Sequence, residues 1–175
     1  MIKTQGPLLP AICVALLSLG GCATQAPTIS HTHIGHAMDG WPDTPNQAGL
    51  FITAEDAAET AVQSAETAAA PNAELGSIKR NIVQVIRDTN PEYSLTAADL
   101  EKKQYGVKNA LAEAAQHVIF AAESGDASAN VRSSASQFSD HATFVLNRCD
   151  LITALGDEVL NSSTPEEANL LAQEL

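Results

Sequence analysis

The chain has 175 residues, with 21 acidic against 9 basic side chains and a formal net charge of −12. That balance excludes a nucleic-acid surface, which needs a basic face, and it disfavours contact with anionic lipid except through an anchor. The length suits one domain with a core of ordinary size.

Lys3 gives a positive start, an apolar run follows from Leu8 to Leu19, and small residues precede Cys22. This is the layout of a secretory signal. Gly6, Pro7 and Pro10 hold the run below the roughly 20 apolar residues that a membrane-spanning helix needs, and an ordinary signal has no need of Cys22. The tetrad Leu19-Gly20-Gly21-Cys22 resembles the lipobox of bacterial lipoproteins. The resemblance covers the first 22 residues only. It implies cleavage before Cys22, lipidation of that cysteine, and anchoring by several acyl chains, which hold stably where one holds marginally. Ala23, in a position where Asp would favour the inner membrane, implies the periplasmic face of the outer membrane. Losing Lys3 with the signal leaves the exported part at a net −13. Cys13 leaves as well, so Cys149 is the one unlipidated thiol, and no intrachain disulfide forms. Cys149 falls on an apolar helical stripe and reads as a small buried hydrophobe.

Residues 1–21 thus read as signal and 22–30 as a lipidated tether. Residues 31–52 form a histidine-rich arm with three of the five histidines and the only Trp, and 53–175 form a helical domain. Thr53-Ala54-Glu55-Asp56 resembles a capping box with Asp for Glu, opening an alanine-rich helix that Pro71-Asn72 ends. Leu75, Ile78, Ile82, Val85 and Ile86 have amphipathic spacing over 73–88, closed by Asn90-Pro91. Thr96 is the expected cap of a third helix reaching Ser124, with Gly106 as an interior weak point of about 1 kcal/mol. Val131, Ala135, Phe138, Ala142, Val145, Cys149, Ile152 and Val159 stripe a fourth helix of roughly 30 residues, about 45 Å long, which Gly156 ends or bends. Thr164-Pro165-Glu166-Glu167 caps a short terminal helix to Gln173. The fold class that follows is all-α: an up-down four-helix bundle with an N-terminal histidine-rich arm and a short C-terminal helix.

The strongest chemistry lies in His31-x-His33-x-x-His36. Imidazole ligates zinc and copper. An extended arm would point His31 and His33 to one side, Gly35 would let His36 turn in, and Asp39 or Asp43 would supply a fourth ligand or an outer shell. The competing reading has these side chains clasp the arm to the bundle, with Trp41 as a hydrophobic plug. His117 and His141 are weaker candidates. Placed 9 residues before and 15 after the turn near Asp126, they are offset by about 9 Å along antiparallel helices, so they are not expected to pair directly. His141, between Phe138 and Val145 on the core stripe, reads as a core histidine satisfied by a hydrogen bond, and a docked arm could recruit either. No Glu-x-x-His supports a di-iron bundle and no Cys-x-x-Cys-His a c-type haem. Gly-x-Ser-x-Gly and phosphate-binding glycine patterns are missing too. The leading expectation is a non-enzymatic, outer-membrane-anchored lipoprotein whose helical domain binds an envelope protein partner or a ligand. The alternative is a copper- or zinc-binding lipoprotein, with a metal-water enzyme as a third class.

Overall fold

The computed structural model describes residues 26–94 and 104–175, and these are all-helical. The α-helices are α1 (Ile29–Met38), α2 (Leu50–Ala68), α3 (Leu75–Thr89), α4 (Val107–Glu123), α5 (Ala129–Asn161) and α6 (Pro165–Ala172), with 3₁₀ turns at Pro45–Gln47 and Pro91–Ser94. Cys22 and Thr96 lie outside the described residues.

The long helices form where periodic apolar residues meet good stops. On α3, Ile78 and Ile82 are fully buried and Val85 and Ile86 nearly so, as their spacing requires. Asn72 supplies a left-handed residue, φ 59°, in the turn between α2 and α3. On α6, the Thr164 hydroxyl accepts from the Glu167 backbone N–H at 3.2 Å, while the Glu167 carboxylate accepts from the Ser163 N–H at 3.1 Å. That is the reciprocal capping the sequence predicts, shifted by one donor.

Helix α5, at 33 residues about 50 Å long, is the ruler of the fold. Its C-terminal half packs Ile152 and Val159 against α2, α3 and α6 in one aliphatic cluster. Its N-terminal half packs Ala135, Phe138 and Ala142 against α1, α2 and α4 in two further clusters. Among the described residues, every member of these clusters lies between Ile34 and Leu175. An ion pair between Lys108 and Asp150 and a hydrogen bond from Tyr93 to Asp157 tie the start of α4 and the preceding turn to α5.

Several expectations change. Residues 29–38 are helix α1, not an extended arm, and this helix starts inside the stretch read as tether. Thr53 caps nothing: α2 begins at Leu50, and the Thr53 hydroxyl donates back to the Gly49 carbonyl at 3.0 Å. Gly106 is not a helix-interior weakness but the residue before α4, where an added Cβ would lie 2.4 Å from the Asp88 carbonyl oxygen. Gly156 does not end α5, which runs on to Asn161; it is buried in the helix against Ile86, whose Cδ1 would be 2.9 Å from a Cβ. Phe138 is half-buried, packed against residues of α1, α2 and α4, and Val145, on the same α5 stripe, is 37% exposed.

Candidate metal centre

Helix α1 exists because both ends are tied down. The Thr28 hydroxyl accepts from the His31 N–H at 3.2 Å, a side-chain N-cap. Asp126, in the α4–α5 turn, accepts from the Ser30 N–H at 3.2 Å. Hydrogen bonds from Ser124, then Thr28 and the Ser30 backbone, hold its carboxyl down to about 2. At the other end the Gly35 carbonyl accepts from the N–H groups of Asp39 and Gly40, at 2.7 and 3.0 Å. The chain then folds back, with the Trp41 N–H on the Ala48 carbonyl at 3.1 Å. Gly49 makes that return tight: an added Cβ would sit 2.4 Å from the Met38 carbonyl carbon and oxygen.

A helical α1 changes which histidines share a face. Positions three apart are neighbours on a helix, and positions two apart are not. His33 and His36 therefore face α4 together, and His31 points to solvent. On α4 the fully buried Ala114 packs in one cluster with Ala37 of α1, and His117 on that helix completes a triad. One Nδ1 of the His33–His117 pair donates to the other at 2.9 Å. Ligand nitrogens of His33, His36 and His117 all lie within 4.8 Å of one another. A tetrahedral zinc with bonds of about 2.0–2.1 Å needs nitrogens roughly 3.3 Å apart, so modest ring rotation closes the site.

Aromatic rings wall this triad. Trp41 lies 4.6 Å from His36 and 4.8 Å from His117 between ring centroids, and Phe120 lies 5.4 Å from His33. The His36 Nδ1 is buried and meets no hydrogen-bond partner among the described residues, which leaves its lone pair or proton for an incoming group. Burial, and then the nearby charge of His33, lower the His36 pKa below its ordinary 6.5. The ring is therefore neutral at neutral pH, the form that binds metal. Glu113, four residues before His117 and so on its face of α4, has one carboxylate oxygen buried, which suits an outer shell to the histidines. The spacing Glu113-x-x-x-His117 was the readable signal for it.

The other sequence candidates go elsewhere. Asp39 and Asp43 are exposed and outside the triad. His141 is not the core histidine that its place on the stripe predicts: it is exposed at the lip of an apolar groove. Cys149 is 2% exposed, and burial raises its thiol pKa, as expected of a core residue. Comparison with known proteins adds no relative: no protein-family model, no curated protein and no solved structure matches the chain.

Proposed function

We propose that this chain is an exported lipoprotein, anchored through Cys22 at the periplasmic face of the outer membrane, whose helical domain binds a copper or zinc ion at His33, His36 and His117. The convergence of three imidazoles from two helices carries the reading. Late first-row metals favour this ligand type, copper(II) above zinc. No described helix is long and apolar enough to cross a membrane; the attachment in this reading comes from the lipobox resemblance of Leu19-Gly20-Gly21-Cys22. Within this proposal α2 to α5 form the up-down four-helix frame, with α1 and α6 added at its two ends.

The ion would replace the proton shared between His33 and His117. Ligation through both Nδ1 atoms moves the donor's proton to its Nε2, a change of tautomer that releases no proton if both rings start neutral. Trp41 and Phe120 keep bulk water off one side. Three ligands leave a fourth tetrahedral position for water or a delivered group. We read the role as binding rather than catalysis, with Glu113 as an outer-shell group.

Calorimetric titration of residues 23–175 with zinc and copper tests the site. Micromolar or tighter binding is expected, weakened at least tenfold by His33→Ala, His36→Ala or His117→Ala and unchanged by His31→Ala or His141→Ala. Unaltered affinity in His117→Ala would overturn the inter-helix site. Separately, Cys22→Ala should abolish fatty-acid labelling and release the chain from membranes.

A further inference from the structure

We propose that the groove between α2 and α5 is a docking site for a cationic amphipathic helix of a partner protein. The groove holds about 450 Å³. Val107 and Leu111 of α4 form its floor, Ala54 and Ala58 one wall, and Ala142 and Val145 the other. Among the described residues α2 and α5 pack on α3 and α4 far more than on each other, which leaves this trough between them. Helix α1 closes one end near Phe138, and α6 packs further along, its Asn169 amide donating to the Ala68 and Ala70 carbonyls. The small alanines of the α2 wall leave room for another helix's side chains, the seat that helix-in-groove recognition uses.

Charge identifies the occupant. Helix α2 carries Glu55, Asp56, Glu59 and Glu66 and no Lys, Arg or His in its 19 residues. Glu55 lines the groove, and Glu59 lines its continuation beside Val62, which is 56% exposed. An acidic rim over an apolar floor matches a helix with an apolar stripe flanked by Lys or Arg. The same rim repels anionic lipid, and a second copy of this acidic chain has no basic α2 to offer it. From Phe51 to Gln63 the groove edge runs about 18 Å, the length of roughly 12 helical residues.

Three synthetic peptides of 14 residues test this against the exported chain, residues 23–175, by titration calorimetry in low and physiological salt. The first has Leu at i, i+3, i+4 and i+7 spacing with Lys elsewhere. The second has Glu in place of Lys. The third alternates Leu and Lys, which denies a helical apolar stripe. Binding of the first is expected, weaker at the higher salt, with the other two at least tenfold weaker. The double variant Glu55→Lys, Glu59→Lys, both exposed positions, should weaken the first peptide at least tenfold, as should Ala58→Trp, which fills the trough. His117→Ala should leave it unchanged, so this surface and the metal reading stand or fall separately. No binding of the first peptide, equal binding of the alternating one, or unchanged affinity in the charge-reversed variant would overturn the proposal. Concentration-dependent dimerisation of the chain that Ala58→Trp abolishes would overturn it too, by assigning the groove to a second copy.

Discussion

The two ends of the helical domain are built from different material. Where α2, α3, α5 and α6 meet, Ile78, Ile82 and Val159 are wholly buried and every contact in the cluster is aliphatic. Where α1 meets α4, the buried residues are mostly alanines, and histidine and tryptophan rings fill the space that branched side chains fill at the other end. Helix α1 buries only Ser30 and Ala37, and it leaves Ile29 65% and Met38 42% exposed. Apolar burial contributes about 25 cal/mol per Å², so the aliphatic end carries the global stability. The α1 end depends on caps, a ring-to-ring hydrogen bond and a tight glycine turn, and such elements open locally at low cost. A ligand that bridges α1 to α4 therefore adds its binding energy where the fold is weakest.

Ile82→Ala should break the strong end. Removing a fully buried Ile side chain costs about 2–5 kcal/mol, read as a lower urea midpoint for the whole domain. Metal affinity in that variant should be unchanged while the domain remains folded. A loss below about 1 kcal/mol would show the two ends to be equally dispensable. Metal addition sharpens the contrast from the other side. Zinc at a hundredfold excess over Kd should stabilise the native state by about 2.7 kcal/mol. Hydrogen exchange should show the added protection concentrated in the amides of α1 and the loop to Gly49. Protection spread evenly over α1 and α3 would sink the idea of a locally weak end. Gly49→Ala should act next in size, because its Cβ would meet backbone and not a flexible side chain. Overpacking of this kind costs about 1–3 kcal/mol. The variant should lose protection in α1 and weaken metal binding without moving the exchange of α3.

The same contrast governed what the sequence made legible. Helix α3, the stripe position of Cys149 and the Thr164 cap follow from spacing and local chemistry, and all three are seen. Helix α1 was illegible because IleSerHisThrHisIleGlyHisAlaMet has no continuous apolar stripe and includes a glycine and β-branched residues. Its helix is imposed by Thr28, Asp126 and docking on the alanines of α4. Once that segment is helical, His33 and His36 pair and His31 drops out. Helix geometry compares His117 with His141 across the α4–α5 turn, while the hydrogen-bond partner of His117 is His33, 84 positions earlier in the chain. Strand-like alternation puts His31 with His33, whereas the helical period puts His33 with His36.

The smallest expected effect is on pH dependence, and it isolates the α1 end from the rest. His36 has a folded pKa below its ordinary 6.5, chiefly through burial and then through His33. The unfolded chain therefore takes up a proton at this ring before the folded chain does, and stability rises with pH wherever the unfolded state binds more protons. The contribution of His36 is fully present above 6.5 and is lost as pH falls through 6.5 towards the lowered folded value. Asp126 does not interfere, because its carboxyl, held down to about 2, gives up its contribution only below the ordinary carboxylate range. Urea denaturation at pH 7.5 and 5.5, without metal, should show the parent weaker at the lower pH, and His36→Asn should reduce that difference. The difference should widen when zinc is present at both pH values, relative to a chelated control, since the metal stabilises the fold at pH 7.5 while protons compete for the same nitrogens at pH 5.5. An equal pH difference in the parent and in His36→Asn would mean that the buried ring is not what makes this end sensitive to acid.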